Sequence, residues 1–118
     1  MATADTCVFC KIVRREIAAN EVYRDEHVVA FHDLNPQAPI HVLVIPTEHA
    51  ENLSGFVGAA DAAAARGGRL LTAASAIGAR LGPGGYRVVI NEGADAGQSV
   101  FHLHAHVLAG RPMEWPPG

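Results

Sequence analysis

Cysteine is nearly missing from this chain: two residues, Cys7 and Cys10, among 118. They are too few and too close together for the disulfide framework of a small secreted domain, so a reducing compartment is expected. Aromatic residues are scarce at 6%, and positive charge is not in surplus: nine Lys and Arg face twelve Asp and Glu, a net charge of -3. Proteins that follow a nucleic-acid backbone carry a basic stripe, so a nucleic-acid polymer is not an expected partner. No apolar run approaches the roughly 18 residues of a membrane span. The opening Met1-Ala2-Thr3-Ala4-Asp5-Thr6 lacks the basic and apolar segments of a secretory signal. A cytoplasmic location without membrane attachment is expected.

What the chain does contain is apolar residues, 49% against 18% charged, enough for one core at this length. A single domain over 1–118 is expected, with 111–118 as an extended tail because Pro112, Pro116 and Pro117 preclude regular structure. Trp115, set among those prolines, needs a surface to pack on, and a partner subunit could supply it.

Strands are expected at 20–24 and 27–32, joined by a turn at Asp25-Glu26, then at 41–45, 86–90 and 101–109. A short helix is expected over 10–16, a turn of helix within 50–58 around Leu53 and Phe56, and one long helix over 61–81. In the long helix Leu70, Ala74, Ile77 and Leu81 recur near a period of 3.6. Gly67-Gly68 inside it costs about 1 kcal/mol per residue relative to alanine, so a kink or a frayed first half is expected. Five strands against essentially one long helix give an α+β class.

The chemistry concentrates in Phe101-His102-Leu103-His104-Ala105-His106-Val107-Leu108. A strand of period two puts the three imidazoles on one face, about 6.5 to 7 Å apart, and Leu103, Ala105 and Val107 on the other. Three readings compete: polar residues on a solvated face, ligands of a catalytic zinc, or a histidine nucleophile that attacks phosphorus. Strict alternation with an apolar opposite face favours the nucleophile. It must be neutral, with one ring nitrogen free and the other held by a hydrogen bond. Just before it, Gly97-Gln98-Ser99-Val100 offers N–H groups and a hydroxyl, either a phosphate cradle or an ordinary turn. Asn91 is either a site residue or a turn cap. Cys7-Val8-Phe9-Cys10 has the spacing of half a zinc site, for which His49 is one further candidate. Unliganded thiols and a redox pair are the alternatives, although the motif does not follow a strand as a thioredoxin-like pair would.

These residues resemble the histidine triad family, whose His-φ-His-φ-His-φ-φ signature (φ apolar) is met by His102 to Leu108. The likeness runs through Phe31-His32-Asp33, Pro36-Gln37-Ala38-Pro39-Ile40-His41, Val44-Ile45-Pro46, Tyr86 to Gly93, Gly97 to Val100 and the ending Trp115-Pro116-Pro117-Gly118. Within the family the chain looks like the nucleoside phosphoramidase branch, bacterial type. Ala105 and Ala109 are mild departures, Ala109 standing where close relatives often have glycine.

The resemblance implies a five-stranded antiparallel sheet with one long and one short helix, continued across a homodimer. It also implies cleavage of the P–N bond of purine nucleoside 5'-phosphoramidates through a nucleotidyl-histidine intermediate. His104 would be the nucleophile, His106 and His41 its polar surround, and Ser99 the group orienting the phosphate. Asp33 would hold the ribose hydroxyls, as a carboxylate does in dinucleotide sites, although a turn-forming aspartate is the plainer alternative. Asn91 and Gln98 would lie near the phosphate, and Phe9, Ile17, Phe31, Leu34 and Leu43 would form the base pocket, with core packing the alternative for both rings. A structural zinc on Cys7, Cys10, His49 and His102 is implied, which would withdraw His102 from the chemistry. Dinucleoside polyphosphate hydrolysis, against which the Trp-Pro-Pro-Gly ending speaks, and a non-catalytic nucleotide-binding dimer are the alternative functions.

Overall fold

The computed structural model describes residues 5–58 and 62–118. Their elements run α1 (Val8–Val13), β1 (Glu21–Arg24), β2 (Val28–His32), β3 (Ile40–Pro46), α2 (Leu53–Val57), α3 (Ala63–Leu81), β4 (Tyr86–Ile90) and β5 (Ala105–Ala109). The strands form one antiparallel sheet in the order β1-β2-β3-β5-β4, which is the expected α+β class.

The turn between β1 and β2 closes because Asp25 Oδ1 accepts the main-chain N–H groups of His27 (2.7 Å) and Val28 (2.9 Å), the local bonding that makes aspartate a turn residue. The central strands β2 and β3 read as unbroken apolar runs because both faces are covered. On one face Val28, Ala30, Val42, Val44, Ala105 and Val107 pack against Leu70, Ala74 and Ile77 of α3. On the other, Val29, Phe31, Leu43 and Ile45 pack against Cys7, Phe9, Cys10 and Ile12. The second layer is thin, a six-residue helix, and it leaves room for a pocket.

α3 continues through Gly67-Gly68 without interruption. The expected start at Asp61 lies outside the described residues. Gly78 is required by contact: a Cβ there would stand 2.4 Å from the Tyr86 ring. α1 occupies Val8–Val13 instead of 10–16, because the Cys7 sulfur accepts the Cys10 N–H at 3.4 Å and caps the helix earlier. Among the described residues no helix is long and apolar enough to cross a membrane.

The last strand is shorter than the 101–109 expected. Both its neighbours pair with it only as far as Ala105, and the Leu103 N–H bonds the Ala50 carbonyl at 2.7 Å instead of an adjacent strand. His102 and His104 therefore precede the strand and only His106 is on it. The apolar half of the pattern holds, since Leu103, Ala105 and Val107 are buried towards α3. The histidine side is no solvated face: His102 is 0% and His104 8% exposed.

Candidate active site and metal centre

His102 faces the two cysteines. Its Nδ1 lies 3.3 Å from Cys7 Sγ and 3.5 Å from Cys10 Sγ, and Cys10 Sγ lies 3.2 Å from His49 Nδ1. The four donor atoms are all within 4.8 Å of one another. Tetrahedral zinc with Zn–S near 2.3 Å and Zn–N near 2.05 Å has S···N edges of about 3.5 Å, so the set is close to the size such an ion needs. The far nitrogen of His102, Nε2, lies 2.9 Å from the Pro46 carbonyl. That carbonyl only accepts, so Nε2 carries the hydrogen and the Nδ1 lone pair points into the cluster. Burial pushes the Cys10 thiol up to about 11, reinforced by the Cys7 sulfur, and burial brings His102 down to about 4. Without a cation the Cys10 thiol and the His102 ring stay neutral; a bound divalent ion would turn the thiols into thiolates. Two soft sulfurs and two imidazoles in a closed, largely buried set fit a structural zinc.

His104 is oriented from the same segment. Its Nδ1 is 2.8 Å from the main-chain oxygen of His102, so Nδ1 carries the hydrogen and Nε2 keeps a lone pair. Behind it, the Gln37 N–H donates to His41 Nδ1 at 3.0 Å, and His41 Nε2 is 2.9 Å from His106 Nδ1. Since His41 Nδ1 accepts, the His41 hydrogen is on Nε2 and is given to His106 Nδ1. His106 is then left with Nε2–H as a donor. Burial lowers His41, partly offset by Asp33, and burial together with the His104 and His41 rings lowers His106 to about 4. Both rings are neutral near pH 7. The His104 and His106 ring centroids are 4.9 Å apart, which sets a lone pair beside a hydrogen-bond donor.

These rings close one side of a cavity of about 340 Å³ lined by Phe9, Ile17, Phe31, Asp33, Leu34, Leu43, Ser99, His104 and His106, all candidates from the sequence. Phe9 stands edge-on to Phe31, His102 and His104 with centroids 5.3 to 5.8 Å away. Leu34 is fully exposed at the rim. His41 reaches the cavity only through His106. Asn91 and Gln98 are not in the lining. The Gln98 amide is committed to main chain instead, accepting from Gly93 N and donating to the Glu51 and Val100 carbonyls, so it braces the loop. A larger cavity, about 620 Å³, lies between α3 and the β1–β2 hairpin and contains none of the triad.

The HIT domain family matches residues 14–113, most of the chain. The chain belongs to the HIT domain family. It is 51% identical over 116 residues to an uncharacterized HIT-like protein of Synechocystis, covering 98% of this chain and 99% of that one. It is 46% identical over 112 residues to a 14 kDa zinc-binding protein of Zea mays, covering 94% of this chain and 87% of that one. Among solved structures it is similar to a HIT family hydrolase of Legionella pneumophila, with a TM-score of 0.87, 39% identity, and coverage of 95% of this chain and 99% of that one.

Several residues line the HIT-domain pocket that sequence reasoning did not select, namely Val8, Ile12, Ala18, Ala19, Asn20 and His32, while Val100 enters it from the candidate cradle 97–100. Ile12 was signalled by its spacing of three from Phe9 on one helix face. His32 is signalled by its place beside Asp33 in the sequence. Asp33, His41 and His106 form a second cluster of metal-capable groups, but their bonding argues against an ion. For His41 Nε2 to ligate a metal as a neutral ring, Nδ1 would have to carry the hydrogen, and that nitrogen already faces the Gln37 N–H.

Proposed function

We propose that this HIT-family protein is a hydrolase of purine nucleoside 5'-phosphoramidates, with His104 as the nucleophile. The observation that carries the reading is the bonding of His104: Nδ1–H is spent on the His102 carbonyl, and Nε2 borders a cavity that also presents Asp33, Ser99 and His106. The apolar part of the cavity suits a base, and Asp33 suits a ribose diol. Ser99 and the His106 Nε2–H suit the phosphoryl group and the departing nitrogen.

In this reading His104 Nε2 attacks the α-phosphorus as the P–N bond to the amine breaks. Water then attacks the nucleotidyl-histidine, the Nε2–P bond breaks, and the nucleoside monophosphate leaves. Net, one water is consumed: its hydroxyl ends on phosphorus and its proton on the amine. Zinc on Cys7, Cys10, His49 and His102 would supply structure and take no part in the displacement. Similarity to the zinc-binding protein of Zea mays supports a zinc site, and similarity to the Legionella pneumophila hydrolase supports enzymatic activity.

The protein is proposed to act in the cytoplasm as a homodimer of single-domain chains. β4 is an edge strand carrying exposed Tyr86 and Val88, Leu71 is exposed, and the 111–118 tail leaves Trp115 83% exposed, all surfaces a second copy would cover. Incubation with adenosine 5'-phosphoramidate should release AMP and ammonia, with much slower turnover of a diadenosine polyphosphate. No phosphoramidate turnover above background overturns the reading. Light scattering should give twice the chain mass, and a monomer would refute the dimer.

A further inference from the structure

Two neutral imidazoles joined by one hydrogen bond can be ordered in two ways. In the first, His41 Nδ1 accepts, His41 Nε2–H donates to His106 Nδ1, and His106 shows an N–H to the cavity. In the second every hydrogen is moved, and His106 shows a bare lone pair. Only the first favours an anionic phosphoryl group. Nothing within the pair chooses between them.

The choice comes from outside it. The Gln37 main-chain N–H, 3.0 Å from His41 Nδ1, would face another donor in the second order. The Asp33 carboxylate, 3.5 Å from His41 Nε2, also favours a hydrogen on that nitrogen. Gln37 is in turn held from the far end of the chain. Pairing of Ile40 with Ala109 brings Gly110 and Arg111 to the base of the Pro36–Pro39 loop. The Arg111 guanidinium donates to the Gln37 carbonyl at 3.1 Å and also to the Pro112 carbonyl, and the Gln37 side chain donates to the Asn35 carbonyl. At Gly110, with φ of +94°, a Cβ would lie 2.8 Å from the Pro39 Cβ, so tail and loop are in close contact.

We propose that the Pro36–Pro39 loop is a tautomer clamp, in which Gln37 through its main-chain N–H and Arg111 through its guanidinium are positioning residues for the His41–His106 pair. The catalytic consequence rests on the phosphoramidase reading; the tautomer itself does not. Arg111 is not a lining residue of the cavity, and its bond to the Gln37 carbonyl links it to the histidine pair through the loop.

Ring ¹⁵N NMR of histidine-labelled protein near pH 7.5 reads the hydrogen positions directly. The unaltered protein should show His41 protonated at Nε2 and unprotonated at Nδ1. Gln37→Pro deletes the donor, and its reference is Gln37→Ala, which loses the same side chain but keeps the N–H. Against that reference, Gln37→Pro should show mixed His41 tautomers and a kcat lower by about ten- to a hundredfold, with KM changed far less. Arg111→Ala should lower kcat severalfold, and Arg111→Lys, which retains a charged N–H donor group, should recover part of the loss. An unchanged His41 tautomer in Gln37→Pro, or an Arg111→Ala kcat equal to the unaltered value, overturns the clamp. If Gln37→Pro does not fold, Gly110→Ala carries the same ring-shift test by pushing Pro39 away. If the unaltered protein does not turn over phosphoramidate, the functional reading fails while the ring shifts still decide the clamp.

Discussion

Lowering the pH from 8 to 6 should weaken zinc binding by at least about a hundredfold, and the structure says why. Burial holds the Cys10 thiol at about 11, so an ion binding its thiolate must expel a proton. At 1.36 kcal/mol per unit that costs about 4 kcal/mol at pH 8 and about 7 kcal/mol at pH 6. The difference, roughly 2.7 kcal/mol, is two factors of ten from one proton. His102 adds nothing to this slope, because its folded value of about 4 leaves it neutral throughout the range. The assay is competition with a chromophoric chelator at pH 6, 7 and 8, corrected for the chelator's own protonation. Affinity that changes by less than about threefold across the range would mean that Cys10 does not bind as a thiolate. The same ion should stabilise the fold. At a free concentration a thousand times its dissociation constant it contributes about 4 kcal/mol, so chelation should lower Tm by about 15 °C for a domain of this size.

Three further outcomes follow from individual side chains. His104→Ala should abolish phosphoramidate turnover while retaining AMP binding by calorimetry, since its ring is the one with a free nitrogen at the cavity; turnover within tenfold of the unaltered rate would remove it as nucleophile. The folded protein keeps His106 neutral down to about 4, while an unfolded chain protonates near 6.5, so unfolding takes up a proton between those values. This contribution is fully present above pH 6.5 and is lost as pH falls towards 4, up to about 3 kcal/mol. Urea midpoints at pH 7.5 and 4.5 should therefore differ less in His106→Gln than in the unaltered protein, and an identical difference would refute the shift. Phe9→Ala removes a 7% exposed ring that touches Phe31, His102 and His104, costing about 3 kcal/mol in urea and weakening AMP binding; unchanged affinity would place Phe9 in the core alone.

Most of the fold was legible where a single physical rule acted alone. The Asp25 turn, the apolar run of β3 and the 3.6 spacing of Leu70, Ala74 and Ile77 each had one explanation, and each formed as read. Reading failed where a tertiary partner changed a local choice. α1 starts early because a thiol serves as its cap, and β5 starts late because Ala50 takes the Leu103 N–H. The side-chain amide of Gln98 bonds the carbonyl of Glu51, distant in sequence, a partner that its glycine-rich setting did not signal. The residue types around the histidines were visible. Their hydrogen order was not, because it depends on a main-chain N–H and a main-chain carbonyl, groups every non-proline residue carries.

That dependence divides the triad by which backbone group each ring meets. His102 gives its Nε2–H to Pro46 and its Nδ1 to the thiol cluster, yet its own carbonyl takes the Nδ1–H of His104. The segment that makes this link, 101–104, has already left the sheet ladder, so the bonds that fix it are those of His102, Leu103 and the sulfurs. A ligand at the first histidine would thus hold the peptide that orients the second, although His102 itself does not line the 340 Å³ cavity. The third histidine is governed from the other end, through His41 and Gln37. The lone pair and the adjacent donor are set by two independent anchors, the Cys7-Cys10-His49-His102 cluster and a proline-bounded loop. Damage to either should impair catalysis before it unfolds the sheet, because the buried contacts of β2, β3 and β5 with α3 lie on the opposite face.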